Sequence, residues 1–277
     1  MRSSEDREAA SVVLPRGFFA GSSLEVAPRL LGCVLEHETS EGLVAVRLTE
    51  VEAYDGADDP ASHAYRGRTA RNAVMFGEPG HAYVYFTYGM HFCANLVCRP
   101  EGTASAVLLR AGQVTDGIPL AAARRAAAPN GAGRGARGPG QIGGPSPDGP
   151  GPDGPGDLGR PAGMSPPDVV SPAVRRELAR GPARLCQALG IDRGLDGADV
   201  CDQASPLRIR SAQELGPGGP APDVSHGPRV GISAAADRPW RFWLTGDPTV
   251  SAYRPYTRRV RPKVISPQAG ENGTIQR

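Results

Sequence analysis

Between residues 43 and 54 apolar positions recur at every second residue, as Val44, Val46 and Leu48, and the same series continues into Glu50, Glu52 and Tyr54. A period of two predicts a strand, with these side chains on one face that starts apolar and ends in two carboxylates and a tyrosine. Residues 33–39 form a preceding strand-like run, and Glu41-Gly42 joins the two as a hairpin. Residues 23–31 have helical spacing instead, with Ser22 or Ser23 as cap and Gly32 as stop. Further on, 82–88 and 91–98 alternate around a two-residue Gly89-Met90 turn of type II′ form, and 104–111 is another strand. Helical patterns follow at 119–128, 171–180 and 183–189, and strand-like runs at 229–233 and 240–245. The expected fold class is α+β. It is a single mixed domain with a curved antiparallel β-sheet, a protruding β-hairpin and flanking helices.

Composition limits where this pattern operates. About 129–167 is dominated by Gly and Pro and has almost no large apolar residues, so burial there cannot offset the entropy of ordering and a disordered insertion is expected. Residues 1–15 read as a disordered leader and 266–277 as a tail, leaving a domain of 16–265 around the insertion. The full 277 residues suffice for one good core. A net charge of +2 does not announce a nucleic-acid binder, so any basic surface must be local. Five cysteines without CxxC spacing read as free thiols of a reducing compartment. The acidic N-terminus and the absence of a long apolar run argue against export or a membrane span, and the expectation is a cytoplasmic, nucleoid-associated protein. Lys263 is the sole lysine, which removes almost every candidate for a Schiff-base nucleophile.

Three groups of residues carry candidate chemistry. Glu50 and Glu52 are either solvated at the end of a strand or, functionally, place a carboxylate at the mouth of a pocket as a general base for water. Tyr83, Tyr85 and Tyr88 crowd one strand, and Tyr88 and Met90 fall at a hairpin tip, where side chains are ordinarily polar. An apolar tip suits a wedge that enters a base stack. Arg66, Arg68 and Arg71 lie on the loop between the hairpins and suit phosphate contact. His63, His81 and His91 show no HxxxH or HxH spacing, so no metal site and no cofactor is expected.

The ordered combination of TEVEAYDGADDPASH (49–63), RTARNAVMFGEPGHAYVYFTYGMHFCANLV (68–97), AVLLRA (106–111), GPARLCQALGI (181–191), RVGI (229–232) and RPWRFWLTGDPTVS (238–251) resembles the alkyladenine (3-methyladenine) DNA glycosylases. The resemblance covers nearly all of about 16–252 apart from the Gly/Pro stretch. It implies a DNA glycosylase acting as a monomer on double-stranded DNA that contains damaged purines, and Lys263, outside every matched motif, adds the expectation that the enzyme is monofunctional, without lyase activity. Glu52 would activate water and Arg110 would help hold the water and the carboxylate. Tyr54, His63 and Tyr85 would sandwich the flipped base, and Asn95 would screen the purine edge against guanine. Tyr88 would intercalate, and Arg184 would contact a phosphate. Alternation around a two-residue turn, however, puts Tyr85 on the face opposite Tyr88 and Asn95, so a twist or bulge is needed to bring them together. Rival readings are a catalytically inactive damaged-DNA-binding protein of the same fold and a metal-dependent hydrolase built on the three histidines.

Overall fold

A computed structural model describes residues 12–87, 89–128, 170–212 and 223–257. Tyr88, the insertion expected at 129–167 and the tail expected at 266–277 lie outside the described residues.

Helix α1 (Ser23–Leu30) begins in a reciprocal capping box between Ser22 and Glu25, and Gly32 follows it at φ +86°. Such a cap contributes about 1 kcal/mol. Strands β1 (Val34–Thr39) and β2 (Gly42–Tyr54) form the first hairpin, with Thr39 opposite Gly42. Its turn is therefore Ser40-Glu41, one residue earlier than the sequence suggested. The chain continues through β3 (Ala82–Thr87), β4 (His91–Cys98), β5 (Ser105–Asp116) and α2 (Ile118–Ala127). After the insertion come α3 (Pro172–Glu177), β6 (Ala179–Arg180), α4 (Pro182–Leu189), β7 (Leu207–Arg210), β8 (Val224–Gly227) and β9 (Arg241–Leu244).

Among the described residues the strands form one antiparallel sheet in the order β3-β4-β5-β2-β1-β7, with β6 on β5 and β9 joining β2 to β8. Helices α1 and α4 pack on one face over the main core. A smaller cluster that includes Met75, Tyr83, Val97 and Ala106 covers part of the other face.

Besides the two hairpin turns, four expectations change. The leader does not extend to residue 15: Val13 and Leu14 are buried, and the Leu14 amide donates to the Ile209 carbonyl at 2.8 Å. These apolar side chains lie at the edge of the sheet beside β7. The helix expected over 171–180 stops at Glu177, because Ala179 and Arg180 pair with Gly112 and Ala111. Residues 229–233 are a loop rather than a strand. Its Val230 and Gly231 amides donate to the Glu52 carboxylate and the Arg254 carbonyl, which takes them out of any ladder.

The fourth change repositions the chemistry. Val44, Val46 and Leu48 face the main core, but beyond them it is Val51 and Ala53 that do so. The register explains the switch: Leu48 pairs with Gly112, Glu50 with Ala111 and Val51 with Leu109. Thr49 on β2 and Arg110 on β5 are thus each left without a partner. Two facing bulges reverse the parity of both strands. Glu50, Glu52 and Tyr54 consequently do not share the face of Val44, Val46 and Leu48, contrary to the uninterrupted alternation read from sequence. Gly112 permits the close approach, since a Cβ there would meet the Val46 side chain at 2.3 Å and the Arg47 carbonyl at 2.5 Å.

The second hairpin resolves the conflict over Tyr85 and Asn95. Thr87 pairs with His91, so the connection has three residues, Tyr88-Gly89-Met90, rather than two. The Met90 amide donates to the Thr87 carbonyl at 3.0 Å, and Gly89 has φ +65°. The extra residue shifts the pairing by one, so that Tyr85 opposes Cys93 and Tyr83 opposes Asn95. Tyr85 and Asn95 therefore point to the same face without any bulge.

Candidate active site

On that face Tyr83, Asn95, Leu108 and Glu52 are successive register partners across β3, β4, β5 and β2. They form the floor of a cavity of about 260 Å³. Tyr54, His63 and Tyr85 contribute aromatic wall, Arg110 and Cys93 more of the floor, and the Val230–Ile232 loop closes another side.

Glu52 has no solvent exposure. Its Oε1 accepts the Val230 amide at 2.7 Å and lies 3.3 Å from Arg110 Nη1. Its Oε2 accepts the Tyr54 hydroxyl at 2.9 Å. Burial, then the Glu52 charge, raises the Tyr54 phenol well above its ordinary value, so it remains a donor. On Tyr54 itself sits the guanidinium of Arg229, 4.6 Å from the ring centroid and also 5.1 Å from the Trp240 ring. Arg229 is buried and pairs bidentately with buried Asp59. This pair fixes the loop whose next amide, that of Val230, holds Glu52.

Arg110 does not bind Glu52 alone. Its Nε donates to Glu50 Oε1 at 2.8 Å, and the Nε of Arg241 donates to the same oxygen at 2.8 Å. Ser251 adds its hydroxyl to Oε1 and its amide to Oε2. Burial alone would raise the Glu50 carboxyl, but Arg110, Arg241 and the Ser251 amide outweigh it and hold the group below its ordinary value.

The aromatic wall is interlocked. His63 meets Tyr85 edge-on at 4.6 Å between centroids, and its Nδ1 lies 3.1 Å from the Tyr83 hydroxyl. Burial, then the charge of Arg71, lowers the His63 pKa, which favours the neutral imidazole. Burial raises the Tyr85 phenol. The loop that carries His63 is folded around buried Asn72, whose Nδ2 donates to the His63 and Gly67 carbonyls. Asn95 Nδ2 donates to the Tyr83 carbonyl at 3.0 Å.

The structure thus brings together Glu52, Arg110, Tyr54, His63, Tyr85 and Asn95 around one cavity. Arg68 and Arg71 are exposed on the neighbouring loop, Arg71 within 5.8 Å of the Tyr85 ring. Met90 is 53% exposed at the end of the hairpin, and Tyr88 lies outside the described residues. Arg184 does not reach the cavity; it pairs with Glu177, although its neighbour Pro182 does line the wall. Sequence reasoning gave no role to Arg229, Arg241 or Ser251, although all three lie within the RVGI and RPWRFWLTGDPTVS motifs. Their signal was there, but their partners are some 170 to 200 residues away. Among the described residues no group of three or more His, Cys, Asp or Glu side chains converges as metal ligands would, and no helix is long and apolar enough to cross a membrane.

Comparison with known proteins matches residues 17–144 and 163–248 to the methylpurine-DNA glycosylase (MPG) family. A Streptomyces avermitilis protein named "Putative 3-methyladenine DNA glycosylase" is 48% identical over 250 residues, 90% of this chain and 95% of its own. A protein of the same name from Leifsonia xyli subsp. xyli is 47% identical over 243 residues, 86% of this chain and 92% of its own. Another from Mycobacterium tuberculosis is 40% identical over 233 residues, 82% and 88% of the two chains. The match runs through every strand that shapes the cavity, and the chain belongs to the methylpurine-DNA glycosylase family.

Proposed function

We propose that the protein is a monofunctional DNA glycosylase. It takes an alkylated or deaminated purine out of duplex DNA into this cavity and hydrolyses its N-glycosidic bond, leaving an abasic site. The observation that carries the reading is the setting of Glu52: a carboxylate shielded from bulk solvent at the floor of an aromatic-walled cavity. A carboxylate offers about four lone-pair sites. The Tyr54 hydroxyl, the Val230 amide and Arg110 engage three, which leaves acceptor capacity for a water.

In the reaction the water oxygen bonds to C1′ of the sugar while its proton passes to Glu52. The electron pair of the broken C1′–N bond leaves with the purine. A purine alkylated at a ring nitrogen is cationic and departs neutral, so help of about a hundred- to ten-thousand-fold from a general base suffices. The faces of Tyr54 and Tyr85 attract such a cation, and a neutral His63 does not repel it. Asn95, tethered to the Tyr83 carbonyl, meets the purine edge and disfavours the exocyclic amine of guanine. Outside the cavity Arg68, Arg71 and Arg184 contact phosphates, the last by exchanging Glu177 for DNA, while Tyr88 and Met90 fill the vacated stack. The protein works as a monomer, without metal or cofactor.

The test is a panel of duplexes, each with one 3-methyladenine, 7-methylguanine, hypoxanthine or etheno-adenine, scored for released base. Release of at least one lesion base is expected. Tight binding of every lesion with no release would instead identify the inactive damaged-DNA-binding protein.

A further inference from the structure

Glu50 precedes Glu52 by two residues and is buried just as completely. It takes no part in the reaction outlined above, yet donors from three segments converge on it. Its Oε1 accepts Arg110 Nε from β5 and Arg241 Nε from β9, each at 2.8 Å, and the Ser251 hydroxyl at 2.9 Å. Its Oε2 accepts the Ser251 amide at 2.6 Å.

We infer that Glu50 is a positioning residue for the hydrolytic step: it draws the Arg110 guanidinium away from Glu52, so that Glu52 keeps an oxygen available to water. The inference rests on the reading of Glu52 as the general base. An arginine beside a single carboxylate closes a bidentate pair with both of its oxygens. Here Arg110 commits its Nε to Glu50, and its Nη1 stands 3.3 Å from Glu52 Oε1, longer than the charge-assisted bonds around Glu50.

The charges tell the same story. Glu50 and Glu52 share the guanidinium of Arg110, and Arg241 adds an ion pair to Glu50. With Glu50 neutral, both guanidiniums would act on Glu52 alone and stabilise its anion, making it a poorer base. Among the other ionisable groups of the cavity, His63 on the loop after β2 and His91 on β4 have no hydrogen bond or ion pair with Glu50, so a Glu50 substitution leaves their partners in place. Tyr54 from β2, Tyr85 from β3 and Cys93 from β4 are all raised by burial and stay protonated near neutrality. The loop before β9 presents only the Val230 amide, and Arg229 is matched by Asp59.

The test is the pH profile of single-turnover release of 3-methyladenine from methylated duplex DNA, a lesion whose own charge is fixed. Glu50→Gln is expected to release base about tenfold more slowly at neutral pH, with its acid limb displaced to lower pH by roughly one unit. Glu50→Asp, which restores the charge, should return the limb to its wild-type position. A merely structural role would slow all variants without moving the limb, and a Glu50→Gln limb coincident with wild type overturns the inference. If Glu50→Gln does not fold, Arg241→Gln reports with the opposite sign: the limb should rise, and an unmoved limb is equally fatal. Wild-type protein that releases no base would remove the reading of Glu52 itself, a result distinct from either.

Discussion

The hydroxyl of Tyr54 donates to Oε2 of Glu52 at 2.9 Å, across the single residue, Ala53, that separates them on β2. One side chain thereby acts as wall and as donor, and the two roles can be separated. Tyr54→Phe keeps the ring and removes the donor. Base release should fall by about ten- to a hundredfold, because a hydrogen bond to a charged group contributes about 1.5–3 kcal/mol, while lesion-DNA affinity stays within a few-fold. Tyr54→Ala should weaken both. Equal loss of affinity in the two variants would show that the ring is not part of the base-binding wall.

Glu52→Gln keeps the shape and discards the anion. Release of the damaged base should fall at least about a hundredfold with binding of lesion DNA retained. Near wild-type release from Glu52→Gln would move the general base elsewhere.

Asp59→Asn leaves the buried Arg229 guanidinium without its counter-charge. Removing one partner of a buried pair destabilises by about 3–5 kcal/mol. Urea denaturation, followed through Trp240 beside Arg229, should show the midpoint falling accordingly. Release should fall too, since Arg229 carries the loop that holds Glu52 through the Val230 amide. A change below about 1 kcal/mol would mean that the pair is solvated in solution.

Met90→Ala and Tyr88→Ala should cost release from fully paired duplex a few kcal/mol of barrier at most, and far less where the lesion lies opposite a gap. The comparison is a ratio of single-turnover rates on the two substrates. Equal ratios for wild type and variants would leave the hairpin tip with a packing role only.

Lys263, the sole lysine, falls outside the described residues and outside every motif that shapes the cavity. Arg110 cannot replace it as an amine, because its guanidinium stays protonated, and its two carboxylate neighbours hold it so even against burial. Borohydride should therefore trap no covalent adduct on damaged DNA, and the product should be an unbroken strand with an alkali-labile abasic site. Release should also persist in excess chelator. A trapped adduct would refute one-step hydrolysis, and sensitivity to chelator would restore the metal-dependent alternative.

Strands β1 to β5 and β9, the capped helix α1 and the shared face of Glu52 and Tyr54 were legible in the sequence, because each is written in local spacing, whereas the short strands β6, β7 and β8 were not. Two features escaped it for definite reasons. Reversal of parity at Thr49 and Arg110 depends on paired bulges, and only Gly112 hints at them, by admitting an approach that a side chain would block. The three-residue hairpin reads as a two-residue turn unless the pairing of Thr87 with His91 is known. What was least legible is the support beneath Arg110, since Arg241 and Ser251 reach Glu50 from about 190 and 201 residues away. Spacing within a segment carries no information about such partners.

The ties from Ser251 to Glu50 also set an order of events during synthesis. A chain emerging from the ribosome N-terminus first has made β1 to β5, and with them the aromatic walls, well before Arg241 and Ser251. The guanidinium that must stand beside Glu52 is not yet steadied, because Arg241 and Ser251 come late. Bracing of the Glu50–Arg110 pair therefore waits for Ser251, long after the walls are made. A translation product halted before Ser251 would hold the strands of the cavity without the two bonds that Ser251 gives to Glu50.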